Sequence, residues 1–217
     1  MMPLDDLAKI RVGVVDYGGG NLRNVLNALH LLGMEGSLLG QARDFDAVDQ
    51  VLFPGVGAFG DCAGQLDARD LRAPLRDWLR SGRPYFGICL GYQMLFEGSE
   101  ESPGVVGLGH LAGRVTRFPT GTDLKVPHMG WNEARFRHPE DPLWAGLGGA
   151  AYFYFVHSYF PAPEDPSIIA CETDYGVRFA SGVRQGALAA VQFHPERSQS
   201  AGLRLVENFL LSNPVSA

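Results

Sequence analysis

The first half of the chain alternates short apolar runs with segments of helical periodicity. The apolar runs have the length of strands and cover residues 10–15, 35–39, 51–53 and 85–88. Between them, apolar residues recur at helical spacing in 22–32, 59–80 and the start of 90–96. Pro74 predicts a break or a kink within the second of these helices. Strands that alternate with helices predict βαβ units and a parallel sheet.

The second half has a different pattern. Apolar runs at 111–118, 152–159, 168–171, 177–183 and 187–193 are separated by turns rather than by long helices. This spacing favours antiparallel pairing, and a last helix is predicted over about 199–211. Since no repeat or linker interrupts the chain, we expect one domain over residues 1–217. Its predicted fold is a three-layer α/β/α sandwich with a mostly parallel sheet and an antiparallel part in the C-terminal half.

Composition narrows the classes of function. Hydrophobic residues make up 46% and charged residues 19% of 217 residues, which is typical of globular proteins. The net charge is -6, and no basic run is interleaved with aromatic residues, so nucleic-acid binding is not expected. The start of the chain does not resemble a signal peptide, and the apolar runs are too short to span a membrane.

Cysteine and histidine usage argues against disulfides and metals. The three cysteines, Cys62, Cys89 and Cys171, form no C-x-x-C pair, which favours reduced thiols in a cytoplasmic protein. No group of histidine, cysteine and acidic residues has the spacing of a metal site, so we expect neither a metal nor another cofactor. His128 and His157 stand in unusual aromatic surroundings, and the sequence leaves their role open.

One segment, Gly87-Ile88-Cys89-Leu90-Gly91, has the pattern of a nucleophile elbow with cysteine in place of serine. A buried strand leads directly into Cys89, and small residues on both sides permit a tight turn into a helix. Such a turn exposes the sulfur at the carboxyl end of the sheet and at a helix N-terminus, which favours the thiolate. The Leu90 N–H would point towards an oxyanion at the reacting carbon. We therefore predict that Cys89 is a nucleophile.

A thiol nucleophile needs a base, and the base needs a group that orients it. His194 follows a strand-like run and precedes Pro195, which favours extended backbone at His194. In an extended segment residues i and i+2 face the same side, so Glu196 can hold the imidazole. The predicted triad is Cys89, His194 and Glu196. Its acid follows the histidine in the chain, unlike the order in α/β-hydrolases.

A second glycine-rich loop, Gly55-Val56-Gly57, lies between a predicted strand and a predicted helix. Its backbone N–H groups could form an oxyanion hole together with Leu90. A plain turn between strand and helix is an equally good interpretation of this segment. The glycines at 18–20 lack the last glycine of a dinucleotide fingerprint, so no nucleotide site is predicted there.

Taken together, these motifs resemble the class I (triad-type) glutamine amidotransferases. Three further segments resemble, more narrowly, the glutaminase subunits of imidazole glycerol phosphate synthases: 16–22 (DYGGGNL), 127–132 (PHMGWN) and 154–159 (YFVHSY). The resemblance covers the chain from about residue 10 to its end, and residues 1–9 lie outside it. It implies hydrolysis of glutamine through a γ-glutamyl thioester on Cys89.

The resemblance also implies a partner and further site residues. Ammonia would pass to a (βα)8-barrel cyclase subunit, in a heterodimer that makes imidazole glycerol phosphate for histidine biosynthesis. The glutaminase would be nearly silent until that subunit binds its ligand, with the loop at 55–57 as the suspected switch. Substrate would be held by Gln93, Glu97 and the backbone near Ser158 and Tyr159. The subunit interface and the ammonia exit would be formed by Trp131, Asn132 and Tyr154.

Three other functions remain open from the sequence. The chain could serve a different biosynthetic pathway as a glutaminase subunit, although the segments at 127–132 and 154–159 argue against it. It could be an inactive binding subunit, but all three triad positions are filled. It could also be a stand-alone cysteine hydrolase for peptide-like or γ-glutamyl substrates, which would turn them over without a partner.

Overall fold

The computed structural model describes residues 9–119 and 124–213. In the first half of the chain the strands are β1 (Val12–Val15), β2 (Gly36–Leu39), β3 (Gln50–Gly55) and β4 (Tyr85–Cys89). They lie side by side in the order β2-β1-β3-β4, and every neighbouring pair is parallel. This agrees with the βαβ pattern of the sequence. The parallel order brings the carboxyl ends of β3 and β4 together, with Gly55 opposite Cys89.

The helices of this half are α1 (Leu22–Leu31), α2 (Phe59–Ala68), α3 (Arg72–Arg80) and α4 (Leu90–Gln93). Helix α1 is followed by Gly33, which has a φ of +75° and ends the helical pattern as expected. The predicted helix over 59–80 is two helices, and the break lies at Asp70, whose φ is +54°. Pro74 is not the cause, because it lies in the first turn of α3, where its missing N–H has no intrahelical partner to lose. The helix predicted at 90–96 is a single turn.

The remaining strands are β5 (Gly98–Ser99), β6 (Gly113–Arg117), β7 (His128–Phe136), β8 (Ala150–His157), β9 (Tyr159–Pro163), β10 (Ile169–Tyr175), β11 (Val177–Gln185) and β12 (Leu188–Val191). Strand β12 pairs parallel with β4, and the sheet continues antiparallel through β11, β10, β7 and β8. Strands β5, β6 and β9 form a second, small sheet. Helix α5 (Gln199–Ser212) follows.

Two parts of this half differ from the sequence expectation. Strand β7 begins within the segment 127–132, at His128, where the sequence predicted no strand. The apolar run at 152–159 is divided at Ser158 into β8 of the large sheet and β9 of the small one. This division places Ser158 at a junction between the two sheets, beside the end of β4.

The large sheet has an apolar core on each face. One core contains residues of α1 and α5 with Val14, Leu52 and Ile88 of the sheet. The other contains residues of α2 and α3 with Val15, Phe53 and Tyr85. Successive strand residues alternate between the two cores because side chains along a strand point to opposite faces. The α/β fold with a mixed parallel and antiparallel sheet is therefore confirmed.

Within the described ranges, no helix is both long enough and apolar enough to cross a membrane.

Candidate active site

Cys89 lies at the turn between β4 and α4 with a φ of +53°, a left-handed conformation that is strained for a residue with a side chain. The flanking glycines permit this turn. A Cβ at Gly87 would lie 2.8 Å from the Gly91 carbonyl oxygen, and one at Gly91 would lie 1.8 Å from the Phe53 carbonyl oxygen. The elbow therefore requires the two glycines that the sequence suggested, and it presents the Cys89 sulfur at the carboxyl end of the parallel strands.

His194 and Glu196 follow β12, the strand that pairs with β4. Glu196 Oε1 lies 2.8 Å from His194 Nδ1, and both side chains are 2% exposed. A carboxylate can only accept, so Nδ1 carries a proton, and Nε2 is the ring nitrogen left for the nucleophile. Among the described residues, Nε2 is buried without a hydrogen-bond partner.

The charge environment of His194 connects it to Cys89. Burial lowers the pKa of His194, but the charge of Cys89 and the hydrogen bond and charge of Glu196 outweigh burial and raise the pKa to about 10. The structure therefore brings Cys89, His194 and Glu196 together in the predicted order. A protonated His194 in this position can give its proton to a departing group.

The Cys89 sulfur opens into a cleft of about 400 Å³. Its walls are formed by Val56, Gly57, Cys89, Leu90, Gln93, Glu101, Pro127, Val156, His157, Ser158, Tyr159 and Arg197. Most of the predicted binding residues are in this set. The volume suits a small polar molecule such as an amino acid.

The loop at 55–57 is at the cleft, but the amide of Val56 is already bonded. Tyr17 Oη accepts the Val56 N–H and donates to the Val56 carbonyl, each at 3.3 Å. Gly57 has a φ of +101°, a backbone conformation that glycine adopts readily and other residues rarely adopt. A single phenol thus holds both polar groups of Val56, and in this state the Val56 N–H is directed to Tyr17.

Gln93 lies against the cleft with a defined orientation. Its Nε2 donates to the Tyr159 carbonyl at 3.0 Å and to Gln192 Oε1 at 3.1 Å. Because both amide hydrogens are used, Oε1 is the atom of Gln93 left for a ligand. Gln192 Nε2 in turn donates to the Cys89 sulfur at 3.5 Å.

The structure does not bring Glu97 to the cleft, in contrast to the expectation from resemblance. Glu97 is exposed, and its carboxylate accepts the Gly113 N–H at 3.4 Å. The acid on the cleft wall is Glu101, whose Oε2 accepts the Phe59 N–H at 2.8 Å. The chain reaches the cleft again four residues later because α4 is only one turn long and the backbone then passes through β5.

Ser158 and Tyr159 line the cleft at the junction of β8 and β9. The Tyr159 carbonyl accepts from Gln93 and from His157 Nδ1, which lies 2.9 Å away, while the Ser158 carbonyl accepts the Phe118 N–H at 3.2 Å. Both carbonyls are therefore occupied by the protein.

The predicted interface residues lie on the hairpin of β7 and β8. Trp131 and Tyr154 are opposite each other in register, with ring centroids 6.5 Å apart, and Trp131 is 48% exposed. Asn132 points to the other face, where it donates to the Asp174 carbonyl at 2.9 Å. The structure thus separates Asn132 from the exposed aromatic pair.

Sequence reasoning missed three participants: Gln192, Glu101 and the buried pair His128 and His157. Gln192 lies near the end of the apolar run at 187–193. Its period-2 relation to His194 was the available signal, but a glutamine at the end of an apolar run has no pattern of its own. The aromatic surroundings of the two histidines were noticed, and the structure shows both buried among Phe118, Phe155 and Tyr175.

Comparison with known proteins agrees with this geometry. The family model "Glutamine amidotransferase class-I" matches residues 13–213. Two solved structures share the fold: one described as a glutamine amidotransferase and one as PurLQS from Thermotoga maritima. Each has a TM-score of 0.73 and covers 93% of this chain and 98% of its own, at 22% and 21% identity.

The chain belongs to the class I glutamine amidotransferase family. Its curated relatives place it with imidazole glycerol phosphate synthase subunit HisH. The HisH subunit of Rhodopirellula baltica is 46% identical over 198 residues, 91% of this chain and 96% of the relative. That of Methylococcus capsulatus is 46% identical over 215 residues, 95% and 98% of the two chains. The family predicted from the sequence motifs is confirmed.

Proposed function

We propose that this chain is the glutaminase subunit of an imidazole glycerol phosphate synthase, with Cys89, His194 and Glu196 as its catalytic triad. One observation carries the proposal: a buried His194–Glu196 pair lies beside a cysteine held in a strained turn at the wall of a cleft. The nucleophile, its base and the orienting carboxylate are supplied by β4 and by the segment after β12. Because β4 and β12 are neighbours in the sheet, these groups meet at one edge.

The proposed reaction uses a thiolate on Cys89 and an imidazolium on His194. The Cys89 thiolate attacks the side-chain carbonyl carbon of glutamine, and the carbonyl oxygen becomes an oxyanion. His194 gives its proton to the departing nitrogen, the C–N bond breaks, and ammonia and a γ-glutamyl thioester result. The neutral His194 then takes a proton from water, whose oxygen attacks the thioester. Glutamate leaves, and the thiolate–imidazolium pair is restored.

The oxyanion would be held by the Leu90 N–H and by an amide of the loop at 55–57. Tyr17 bonds the Val56 amide in the present arrangement, so this second donor becomes available only if the loop turns. In this arrangement the Leu90 N–H is left for the oxyanion, whereas the Val56 N–H is bonded to Tyr17. An incomplete oxyanion hole of this kind suits a subunit whose glutaminase activity is low without its partner. This is the physical form of the switch expected at the loop.

The cleft offers complementary groups for the amino-acid end of glutamine. Gln93 Oε1 is an acceptor, and the Glu101 carboxylate suits an α-ammonium group. Ser158 and Tyr159 complete the wall. We assign the substrate acid to Glu101 rather than to Glu97, because Glu101 lines the cleft.

The partner would dock on the β7–β8 hairpin. Its outer face exposes three large side chains: Met129 by 61%, Trp131 by 48% and Tyr152 by 59%. Val156 on the same face of β8 lines the cleft, so this apolar surface is continuous with the site where ammonia forms. A (βα)8-barrel cyclase seated here would receive ammonia past Trp131 without release to solvent. The proposed complex is a cytoplasmic heterodimer, in keeping with three free thiols.

The test measures glutamate release and imidazole glycerol phosphate synthesis with a ligand-loaded cyclase subunit. The Cys89→Ser variant is expected to lose glutamine-dependent synthesis and to leave ammonia-dependent synthesis by the cyclase intact. If both activities vanished together, the proposed division of labour would be wrong. Glutamate release only with the partner of another pathway would assign the chain to that pathway, and turnover of γ-glutamyl substrates without any partner would indicate a stand-alone hydrolase.

A further inference from the structure

Gln192 is fully buried and links the nucleophile to a residue of the cleft wall. Its Oε1 accepts from Gln93 Nε2 at 3.1 Å, which fixes the orientation of the amide. With that orientation Nε2 faces Cys89 and donates to the sulfur at 3.5 Å. An amide N–H has no tendency to give up its proton at neutral pH. It can therefore stabilise a thiolate without competing with His194 for the proton that the reaction moves.

The orientation of Gln93 is itself fixed from further away. The Tyr159 carbonyl accepts from Gln93 and from His157 Nδ1. Since a carbonyl cannot donate, Nδ1 of His157 carries the proton, and Nε2 is an acceptor. His128 Nδ1 lies 3.0 Å from that Nε2 and must be the donor.

The same reasoning continues to the partner-facing hairpin. Because His128 donates through Nδ1, its Nε2 accepts from Asn132 Nδ2, which lies 3.2 Å away. The second hydrogen of Nδ2 goes to the Asp174 carbonyl. Each tautomer in this chain follows from the next, and both histidines must be neutral. Burial agrees with this requirement, since it lowers the pKa of His128 to about 4 and that of His157 to about 3.

We propose that Gln192 is a positioning residue for the Cys89 nucleophile, and that the hydrogen-bond chain through Gln93, Tyr159, His157, His128 and Asn132 fixes it to strand β7. The inference rests on the proposed glutaminase function. Asn132 stands next to Trp131 on β7, so one strand carries the end of this chain on its inner face and the aromatic docking surface on its outer face. A displacement of β7 on docking would therefore change the hydrogen bond from Gln192 to the Cys89 sulfur.

The alternative is a purely structural role, in which these buried polar groups only complete one another's hydrogen bonds. That role accounts for stability, but it requires no effect on the acidity of Cys89. If Gln192 donates to a Cys89 thiolate, the acidity of Cys89 must depend on it. Loss of that donor destabilises only the charged form of the sulfur. The thiolate fraction of Cys89 is therefore the measurement that separates the two explanations.

The experiment follows the rate of Cys89 alkylation by a small haloacetamide against pH. Cys62 and Cys171 are buried, and burial raises the pKa of each to about 12, so they do not interfere. Gln192→Met keeps the length of the side chain but lacks the N–H. We expect the pH midpoint of alkylation to rise by about one to two units, as for loss of a hydrogen bond to a charged group. The other titratable groups around the sulfur, among them Tyr17, Glu101, His194 and Arg197, are unchanged in the variant.

Two further variants keep the test falsifiable if Gln192→Met folds poorly. Gln192→Glu keeps an acceptor for Gln93 but places an oxygen against the sulfur, so its midpoint is expected to rise as well. Gln50→Met is the matched control, because Gln50 is also fully buried and donates to the Leu210 and Asn213 carbonyls at the opposite end of β3. It should lower thermal stability and leave the midpoint unchanged.

The hydrogen-bond connection between Gln192 and β7 is tested by two variants of His157. His157→Phe removes the donor to Tyr159, whereas His157→Gln retains a donor and an acceptor. We expect a raised midpoint and a glutaminase kcat lower by on the order of tenfold in the first, and recovery of both in the second. Unchanged midpoints in folded Gln192→Met and Gln192→Glu would overturn the role of Gln192, and an unchanged midpoint in His157→Phe would overturn the link. Absence of glutamate release by the wild-type complex would instead refute the proposed function, since alkylation does not depend on turnover.

Discussion

Glu196 Oε1 lies 2.8 Å from His194 Nδ1 in a site where both side chains are 2% exposed. Neither residue is part of the cleft wall, so the pair acts at the reacting atoms rather than through contact with the substrate's amino-acid end. The carboxylate fixes the tautomer that leaves Nε2 for the nucleophile, and it helps to raise the pKa of His194.

Replacing Glu196 with Gln should therefore lower kcat far more than it changes KM for glutamine. The neutral amide no longer stabilises the imidazolium and permits the wrong tautomer, so the pKa of His194 should fall. By analogy with other triads, kcat is expected to fall by about 10²- to 10⁴-fold. Steady-state kinetics in the complex with the cyclase measures both parameters. A raised KM with unchanged kcat would contradict the orienting role.

The Tyr17–Val56 contact predicts a gain of activity. Tyr17→Phe removes the hydroxyl that bonds both polar groups of Val56, so the Val56 amide is freer to turn to the oxyanion. Glutamate release without the partner should rise by about 2- to 10-fold, which is the worth of one ordinary hydrogen bond. Tyr92→Phe is the matched control, because the Tyr92 hydroxyl donates to the Ala180 carbonyl at 3.3 Å and does not contact the loop. Equal partner-free rates in wild type and Tyr17→Phe would mean that the Tyr17–Val56 contact does not restrain the loop.

The nucleophile turn predicts a large contrast between two glycines. A Cβ at Gly91 would lie 1.8 Å from the Phe53 backbone oxygen, so Gly91→Ala forces β3 and α4 apart. The free energy of unfolding should fall by about 3 kcal/mol or more. Gly64 is exposed in α2 with open space around its Cβ position, and Gly64→Ala should raise stability by about 0.5–1 kcal/mol. Urea unfolding of both variants measures the contrast, and similar stabilities would contradict the packing described.

The two buried histidines predict a loss of stability in acid. In the unfolded chain a histidine binds its proton near pH 6.5, whereas burial lowers the pKa of His128 to about 4 and of His157 to about 3. Between these values the unfolded state holds more protons, so stability falls as the pH is lowered. His157 alone contributes a slope of about 1.4 kcal/mol per pH unit. Urea unfolding at several pH values should show a shallower slope for His157→Gln, and an unchanged slope would mean that His157 is not buried as neutral imidazole.

The exposed face of β7 predicts a binding effect without a stability effect. Trp131→Ala should weaken association with the cyclase subunit by about 2 kcal/mol or more, as for an aromatic anchor, and change the melting temperature little. Leu31→Ala on α1 is the control, since Leu31 is 71% exposed and α1 packs on β1 and β2, at the opposite end of the sheet from β7 and β8. Calorimetric titration distinguishes the two variants. If Trp131→Ala and Leu31→Ala bound the cyclase subunit with equal affinity, the proposed docking surface would be wrong.

Features that depend on local backbone geometry could be predicted from the amino-acid sequence. Glycines two residues before and after Cys89 indicated a tight turn, and the turn has a φ of +53° at Cys89. The i, i+2 relation of His194 and Glu196 around Pro195 indicated that the two side chains could meet. The alternation of apolar runs also indicated the parallel half of the sheet. These patterns are readable because neighbours along a chain have few allowed arrangements.

Contacts between residues that are distant along the chain depend on the tertiary fold. It brought Glu101 rather than Glu97 to the cleft, because the path after a one-turn helix is set by packing and not by helical spacing. It joined Tyr17 to Val56 across 39 positions and Gln192 to Cys89 across 103. Such pairs depend on the order of strands in the sheet, which no local pattern encodes, and the chemistry of Cys89 is tuned by contacts of this kind.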